Sequence, residues 1–126
     1  EDTEGRAYNS IGEMWKKELA GEEGRRTWYA KAEGHWEAQE ASLNGVLGGY
    51  PETNGPDLRE SRRFLELVRG AAGENGPAQW GTCLDCGAGI GRVTGGLLAH
   101  VFEHVDLVEP NERLLATARQ EISSSR

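Results

Sequence analysis

Apolar positions along the first part of the chain recur with the spacing of helices. Tyr8, Ile11, Trp15 and Leu19 fall three, four and four residues apart, with Met14 beside them, and Gly21 follows as a C-terminal cap. Residues 22–26, EEGRR, read as a polar joint. Thr27 is placed to cap a second helix whose apolar stripe is Trp28, Ala32 and Trp36, with Tyr29 adjacent. Gly34 weakens that helix by roughly 1 kcal/mol relative to Ala. The stretch 43–57, LNGVLGGYPETNGPD, is rich in Gly and Pro and reads as a loop with apolar members Val46, Leu47 and Tyr50. Asp57 then caps a third helix carrying Leu58, Phe64, Leu65 and Val68. Residues 70–81 form a second loop and a boundary.

From Thr82 the pattern changes. TCLDCG is short and strand-like and runs into GAGIGR. Residues 90–102 return to helical spacing with Ile90, Val93, Leu97, Leu98, Val101 and Phe102, despite Gly95 and Gly96. Residues 104–110, HVDLVEP, form a second strand that Pro110 ends, because proline has no N–H for the ladder. Asn111 starts a last helix with Leu114, Leu115 and Ala118. The expected class is α/β: a helical extension (residues 1–26), a helical cap with a loop (27–81) and one βαβ unit (82–126).

Composition narrows the options. The 126 residues carry 14 basic and 21 acidic side chains, a formal charge of −7. That balance speaks against a nucleic-acid binder, which needs clustered Lys and Arg. It suits a basic peptide as partner. No apolar run approaches the ~20 residues needed to span a bilayer, so no membrane role is expected. The opening residues show no basic start followed by an apolar block, so a cytoplasmic location is expected.

The block with chemistry in it is Asp85-Cys86-Gly87-Ala88-Gly89-Ile90-Gly91-Arg92, between a strand and a helix. Gly87 and Gly89 allow a sharp turn and let a ligand approach the backbone. The helix start that follows offers N–H groups and a positive dipole end to an anionic group. Arg92 is placed to pair with a carboxylate, and Asp85 to orient the loop. The dinucleotide fingerprint G-x-G-x-x-G would need Gly at 92, where Arg stands. The pattern is instead D-x-G-x-G-x-G, which resembles motif one of the Rossmann-like S-adenosylmethionine-dependent methyltransferases. Glu109 lies 22 residues past Gly87, near the ~20 expected of a carboxylate that holds ribose hydroxyls.

Cys83-x-x-Cys86 is a rival constellation for redox or metal chemistry. It lacks a second pair, and His100 and His104 complete no tetrahedral set, so no metal is expected and both thiols are read as buried structural residues. His35 reads as a helix-face residue, and Trp15, Trp28 and Trp36 as the core of the first helices.

The segments WYAKAEGHW, NGVLGGY, SRRFLE, CLDCGAGIGRVT and HVDLVEP resemble, in order, the eukaryotic protein N-terminal methyltransferases. These enzymes methylate the α-amine of proteins beginning Xaa-Pro-Lys. The resemblance runs from about Thr27 to the last helix. It implies a Rossmann-like methyltransferase fold and S-adenosyl-L-methionine as cofactor, with contacts at Gly87, Gly89, Arg92, Glu109, Pro110 and Asn111. Glu109 stands where the family usually has Asp. The resemblance also implies that the LGGY loop walls the peptide channel, through Val46, Leu47, Gly48 and Tyr50, and that Trp36 helps enclose a ligand. Packing of Leu47 and Tyr50 onto the core is the plain alternative. In the family, the proton-accepting groups follow later strands, so no catalytic residue is expected among residues 1–126. The chain is therefore read as the N-terminal part of such a domain, or a truncated one. A non-catalytic binding or regulatory fragment of the same fold is the alternative, and an unpaired strand edge is expected to favour self-association. A nuclear location is added by the resemblance.

Overall fold

The computed structural model describes residues 5–71 and 80–124. They fall into two compact units, residues 1–38 and 39–126.

The first unit holds helices α1 (Ile11–Glu18) and α2 (Gly21–Ala38). Helix α1 starts at a shifted capping box: the Ser10 hydroxyl accepts from the Glu13 N–H at 3.1 Å, and the Glu13 carboxylate accepts at 2.8 Å from the N–H of Asn9, the residue before the cap. Gly21 has φ +66° and turns the chain. Helix α2 begins there rather than at Thr27, so the expected polar joint is helical. Two features explain this. Arg26 pairs with Glu22 and Glu23 one turn back. Gly24 lets the new helix lie against the end of α1, where a β-carbon would stand 2.9 Å from the Glu18 carbonyl oxygen. Trp15 and Trp28 meet edge to face at 4.9 Å. Neither helix has a buried residue, so the expected tryptophan core is a half-exposed aromatic contact.

The second unit carries the α/β part. The expected loop 43–57 contains more regular structure than its glycines suggest: α3 (Leu43–Val46), a 3₁₀ turn (Pro51–Thr53) and the start of α4 (Asn54–Ala71). The Ser42 hydroxyl caps α3 through the Gly45 N–H at 3.2 Å. Helix α4 opens three residues before Asp57, which thus lies in its first turn. Most of the expected loop 70–81 lies outside the described residues.

Strands β1 (Trp80–Cys86) and β2 (Phe102–Val108) pair in parallel, with Trp80 beside Phe102 and Cys86 beside Val108. The Trp80 and Phe102 rings meet at 4.9 Å where the strands begin. The connection between the strands is shorter in helix than expected. Helix α5 covers only Arg92–Gly96, and a 3₁₀ turn, Leu98–His100, follows. Gly95 and Gly96 stop the helix, and Leu97 leaves helical dihedrals at φ −140°. Helix α6 (Glu112–Ser124) closes the unit. Its N-cap is Asn111, as expected, whose side-chain oxygen accepts from the Arg113 and Leu114 N–H groups at 3.1 Å each.

The core is Ile90, Leu97, Leu114 and Ala118, with Thr94 buried among them. Gly96 lets α4 close on α5: a β-carbon there would stand 2.7 Å from Leu58 Cδ1. The sheet face bearing Cys83, Asp85, Val105 and Leu107 is partly covered. The opposite face leaves Leu84 and Val108 half exposed. No helix among the described residues is long and apolar enough to cross a membrane.

Candidate functional site

The glycine-rich turn sits where the two strands end side by side. Gly87 and Ala88 both donate their N–H groups to the Val108 carbonyl, at 2.9 and 3.1 Å. These bonds carry the parallel ladder past the end of β1 and fix the turn against the tip of β2. Gly87, Gly89 and Gly91 have φ of +71°, +57° and +74°, a region that disfavours L side chains. The three glycines then divide by task. A β-carbon on Gly87 or Gly89 would point into open space, whereas one on Gly91 would stand 3.1 Å from both Ala118 Cβ and Ile122 Cδ1. Gly91 serves the packing of α5 on α6. Gly87 and Gly89 keep the outer side of the turn clear for a ligand.

Glu109 lies next to this turn. One carboxylate oxygen accepts from the Gly89 N–H at 2.9 Å, and the other from the Asn111 N–H at 2.8 Å. The side chain thereby holds the glycine turn and the start of α6 in one arrangement. Each oxygen keeps a second lone pair for a hydroxyl. Pro110 is exposed beside it. The side-chain oxygen of Asn111 is committed to capping α6.

The amides of Gly87, Ala88 and Gly89 are satisfied within the protein. The turn therefore admits a ligand by its shape, and an anion must find its positive partner elsewhere. Arg92 is that candidate. Its Nη1 donates to Asn54 Oδ1 at 3.0 Å and to Asp57 Oδ2 at 2.6 Å, and its side chain is only 19% exposed. Asn54 and Asp57 as partners of Arg92 were not legible from the sequence, where Asp57 reads as a cap. Asp85, expected to orient the turn through its amides, instead accepts the Thr94 hydroxyl at 2.5 Å and ties β1 to α5.

Arg92 also borders a cleft of about 480 Å³ with Ser42, Leu43, Asn54, Leu58 and Ile122. Gly87, Gly89 and Glu109 are not part of its lining. They form an open wall instead. In the expected peptide loop, Val46 and Leu47 are half buried, and Gly48, Gly49 and Tyr50 are exposed. Gly48 and Gly49 have φ of +59° and +91°.

The cysteine pair separates, because residues three apart on a strand point to opposite faces. Cys83 is half buried, and burial with Asp85 and Asp106 nearby pushes its thiol pKa up. Cys86 is exposed, which corrects the expectation that both thiols are buried. No cluster of three metal-ligating side chains occurs among the described residues.

Taken as a whole, the chain is similar to known proteins. The family described as "AdoMet dependent proline di-methyltransferase" matches residues 24–126. The chain belongs to that family. Among its relatives, "Alpha N-terminal protein methyltransferase 1" of Arabidopsis thaliana is 42% identical over 128 residues, covering 98% of this chain and 46% of the relative. "N-terminal Xaa-Pro-Lys N-methyltransferase 1" of Homo sapiens is 38% identical over 99 residues, covering 77% of this chain and 43% of the relative. A solved SAM-dependent methyltransferase of Leishmania major superposes with a TM-score of 0.78 at 38% identity, covering 95% of this chain and 47% of that one. The chain thus spans about half the length of the relatives it matches, and it has the Rossmann-like methyltransferase architecture in part.

The family's cofactor fits the groups present. The unobstructed α-carbons of Gly87 and Gly89 allow close approach of a ligand to the backbone. Glu109 keeps lone pairs for vicinal hydroxyls, and Arg92 keeps N–H groups for a carboxylate. A nucleoside with a methionyl tail carries both of those functions.

Proposed function

We propose that this chain supplies the cofactor half and the peptide-facing loop of an S-adenosylmethionine-dependent methyltransferase. Its substrate is the α-amino group of proteins beginning Xaa-Pro-Lys. The observation that carries the reading is the joined Gly89–Glu109 pair. A glycine turn open to ligand and a carboxylate with free lone pairs are held together by one hydrogen bond of 2.9 Å.

When bound, the cofactor supplies an electrophilic methyl group on a sulfonium. The chain's residues do the rest by placement. Glu109 accepts from the ribose hydroxyls, beside Pro110 and Asn111. Gly87 and Gly89 give the nucleoside room against the backbone. Arg92 pairs with the methionyl carboxylate. Val46, Leu47 and Gly48 contact the incoming peptide, whose neutral amine must be aligned with the methyl group for in-line displacement. Holding donor and acceptor in that line lowers the barrier, since the best-oriented reactants can gain up to ~7–11 kcal/mol over free collision. The formal charge of −7 favours both a sulfonium and a basic peptide.

The test is calorimetric titration of the full-length protein carrying these residues with S-adenosylhomocysteine. Mass spectrometry of an Xaa-Pro-Lys peptide after incubation with S-adenosylmethionine completes it. Binding together with methylation at the α-amine is expected. A folded protein that gives no binding heat removes the cofactor assignment. Binding without methyl transfer would favour a regulatory fragment of the same fold.

A further inference from the structure

We propose that Asp57, with Asn54, is a positioning residue that turns Arg92 into a preformed carboxylate fork. This deepens the proposed function and rests on Arg92 meeting the cofactor's carboxylate. The argument starts from hydrogens. A guanidinium has five N–H donors in one plane, and two of them belong to Nη1. Both Nη1 donors are used, one on Asn54 Oδ1 at 3.0 Å and one on Asp57 Oδ2 at 2.6 Å. The Nε–H and the two Nη2 hydrogens have no partner among the described residues. Nε and Nη2 form one edge of the plane, and such an edge binds a carboxylate through two parallel bonds. Fixing one edge of the plane therefore aims the other.

The clasp joins distant parts of the chain. Asn54 and Asp57 lie in the first turn of α4, and Arg92 opens α5 directly after the glycine turn. A long, flexible side chain is thus immobilised before any ligand arrives, which removes that ordering cost from binding. Asp57 also opposes binding in principle, because its negative charge offsets that of Arg92. Position decides between the two effects. The Asp57 side chain is 48% exposed and Arg92 only 19%. Water screens the carboxylate, while the arginine lies mostly out of solvent, where its orientation matters most.

Double-mutant binding tests this on the full-length protein, with S-adenosylhomocysteine as the probe and calorimetry as the readout. Asp57→Asn is expected to raise Kd about tenfold, within the coupling range of groups in contact. Asp57→Glu, which keeps the charge, is expected to recover most of that loss. In an Arg92→Gln background, Asp57→Asn is expected to change Kd no further, because Asp57 acts only through Arg92. Equal losses in both backgrounds would make Asp57 merely structural and overturn the proposal. Tighter binding by Asp57→Asn would overturn it by showing a competitor rather than a guide. An Arg92→Gln protein with unchanged Kd would also overturn it while leaving the cofactor reading intact. Wild-type protein that is folded and does not bind would instead remove the cofactor reading itself.

Discussion

Residues 11–38 look much like residues 90–102 together with 111–118 as patterns, since each carries apolar positions at helical spacing, yet only the second set buries any of them. Helices α1 and α2 have no buried residue, and Trp15, Tyr29 and Trp36 are 40%, 64% and 43% exposed. In the second unit Leu97, Leu114 and Ala118 are almost wholly enclosed. The difference lies in what each stripe faces. Within the first unit the contact is that of Trp15 on Trp28, while in the second α5 meets α6 at Gly91, α4 at Gly96 and strand β1 through Thr94 and Asp85. A stripe marks a face that can be buried, and a third layer decides whether it is.

The sharpest way to break this contrast is to empty the enclosed side. Leu114→Ala removes a side chain that is 2% exposed and is expected to cost about 2–5 kcal/mol. Trp15→Ala deletes a larger side chain but only a surface ring contact, and about 1 kcal/mol is expected. Urea unfolding of both variants checks the ranking. A tryptophan variant that loses more than the leucine variant would show that the first unit has a core after all.

A smaller effect separates two glycines of the same turn. Gly91→Ala places a methyl group 3.1 Å from two side-chain atoms of α6 at φ +74°, and about 2–3 kcal/mol of destabilisation is expected from strain and overpacking together. Gly89→Ala meets nothing within 4 Å, so only the backbone strain of about 1 kcal/mol remains. The order reverses for S-adenosylhomocysteine affinity, where Gly89→Ala is expected to lose more because its methyl group points to the ligand side. Melting temperature and calorimetric Kd, measured on both variants, check the crossing. Next in size is Thr94→Val, which leaves the Asp85 carboxylate without the hydroxyl that donates to it at 2.5 Å. About 1–2 kcal/mol is expected, read by the same unfolding curves.

The same contrast explains which features the sequence disclosed. The glycine turn and Glu109 were legible because turn chemistry is local and the strand–helix–strand frame brings the carboxylate round. The shortened α5 had its cause in plain view at Gly95 and Gly96, which the apolar spacing outweighed. The helical course of residues 22–26 was hidden by Gly24, whose reason is a tertiary approach to Glu18 that spacing does not record. The Arg92 clasp was beyond reach for a different reason. Its partners lie 35 and 38 residues away, and Asp57 reads naturally as a cap until the true start of α4 at Asn54 is known. The capping box at Ser10 and Glu13, by contrast, was open to reading as Ser-x-x-Glu before an apolar stripe.

That capping box gives the smallest effect and the one that singles out the first unit. Glu13 is held well below its ordinary value near 4.5, down to about 2, first by its contact with Lys17 and then by the backbone and side-chain N–H groups of Asn9. The folded pKa is depressed, so the stabilisation is fully present above pH 4.5 and is lost as pH falls from there through about 2. Helix α1 is thus expected to loosen over that window, seen as amide chemical-shift changes confined to residues 9–17. Glu13→Gln should abolish the pH dependence there while leaving the signals of Leu97 and Leu114 unmoved. High salt should weaken the Lys17 contribution and spare the Asn9 hydrogen bonds, because Glu13 and Lys17 are at the surface and their attraction is screened. A helix that keeps its shifts down to pH 2 in wild type, or loses them equally in Glu13→Gln, would place its anchor elsewhere. The remaining candidate is then the Glu18 carboxylate, which accepts from the Tyr8 hydroxyl and pairs with Arg6 at 2.8 Å in each case.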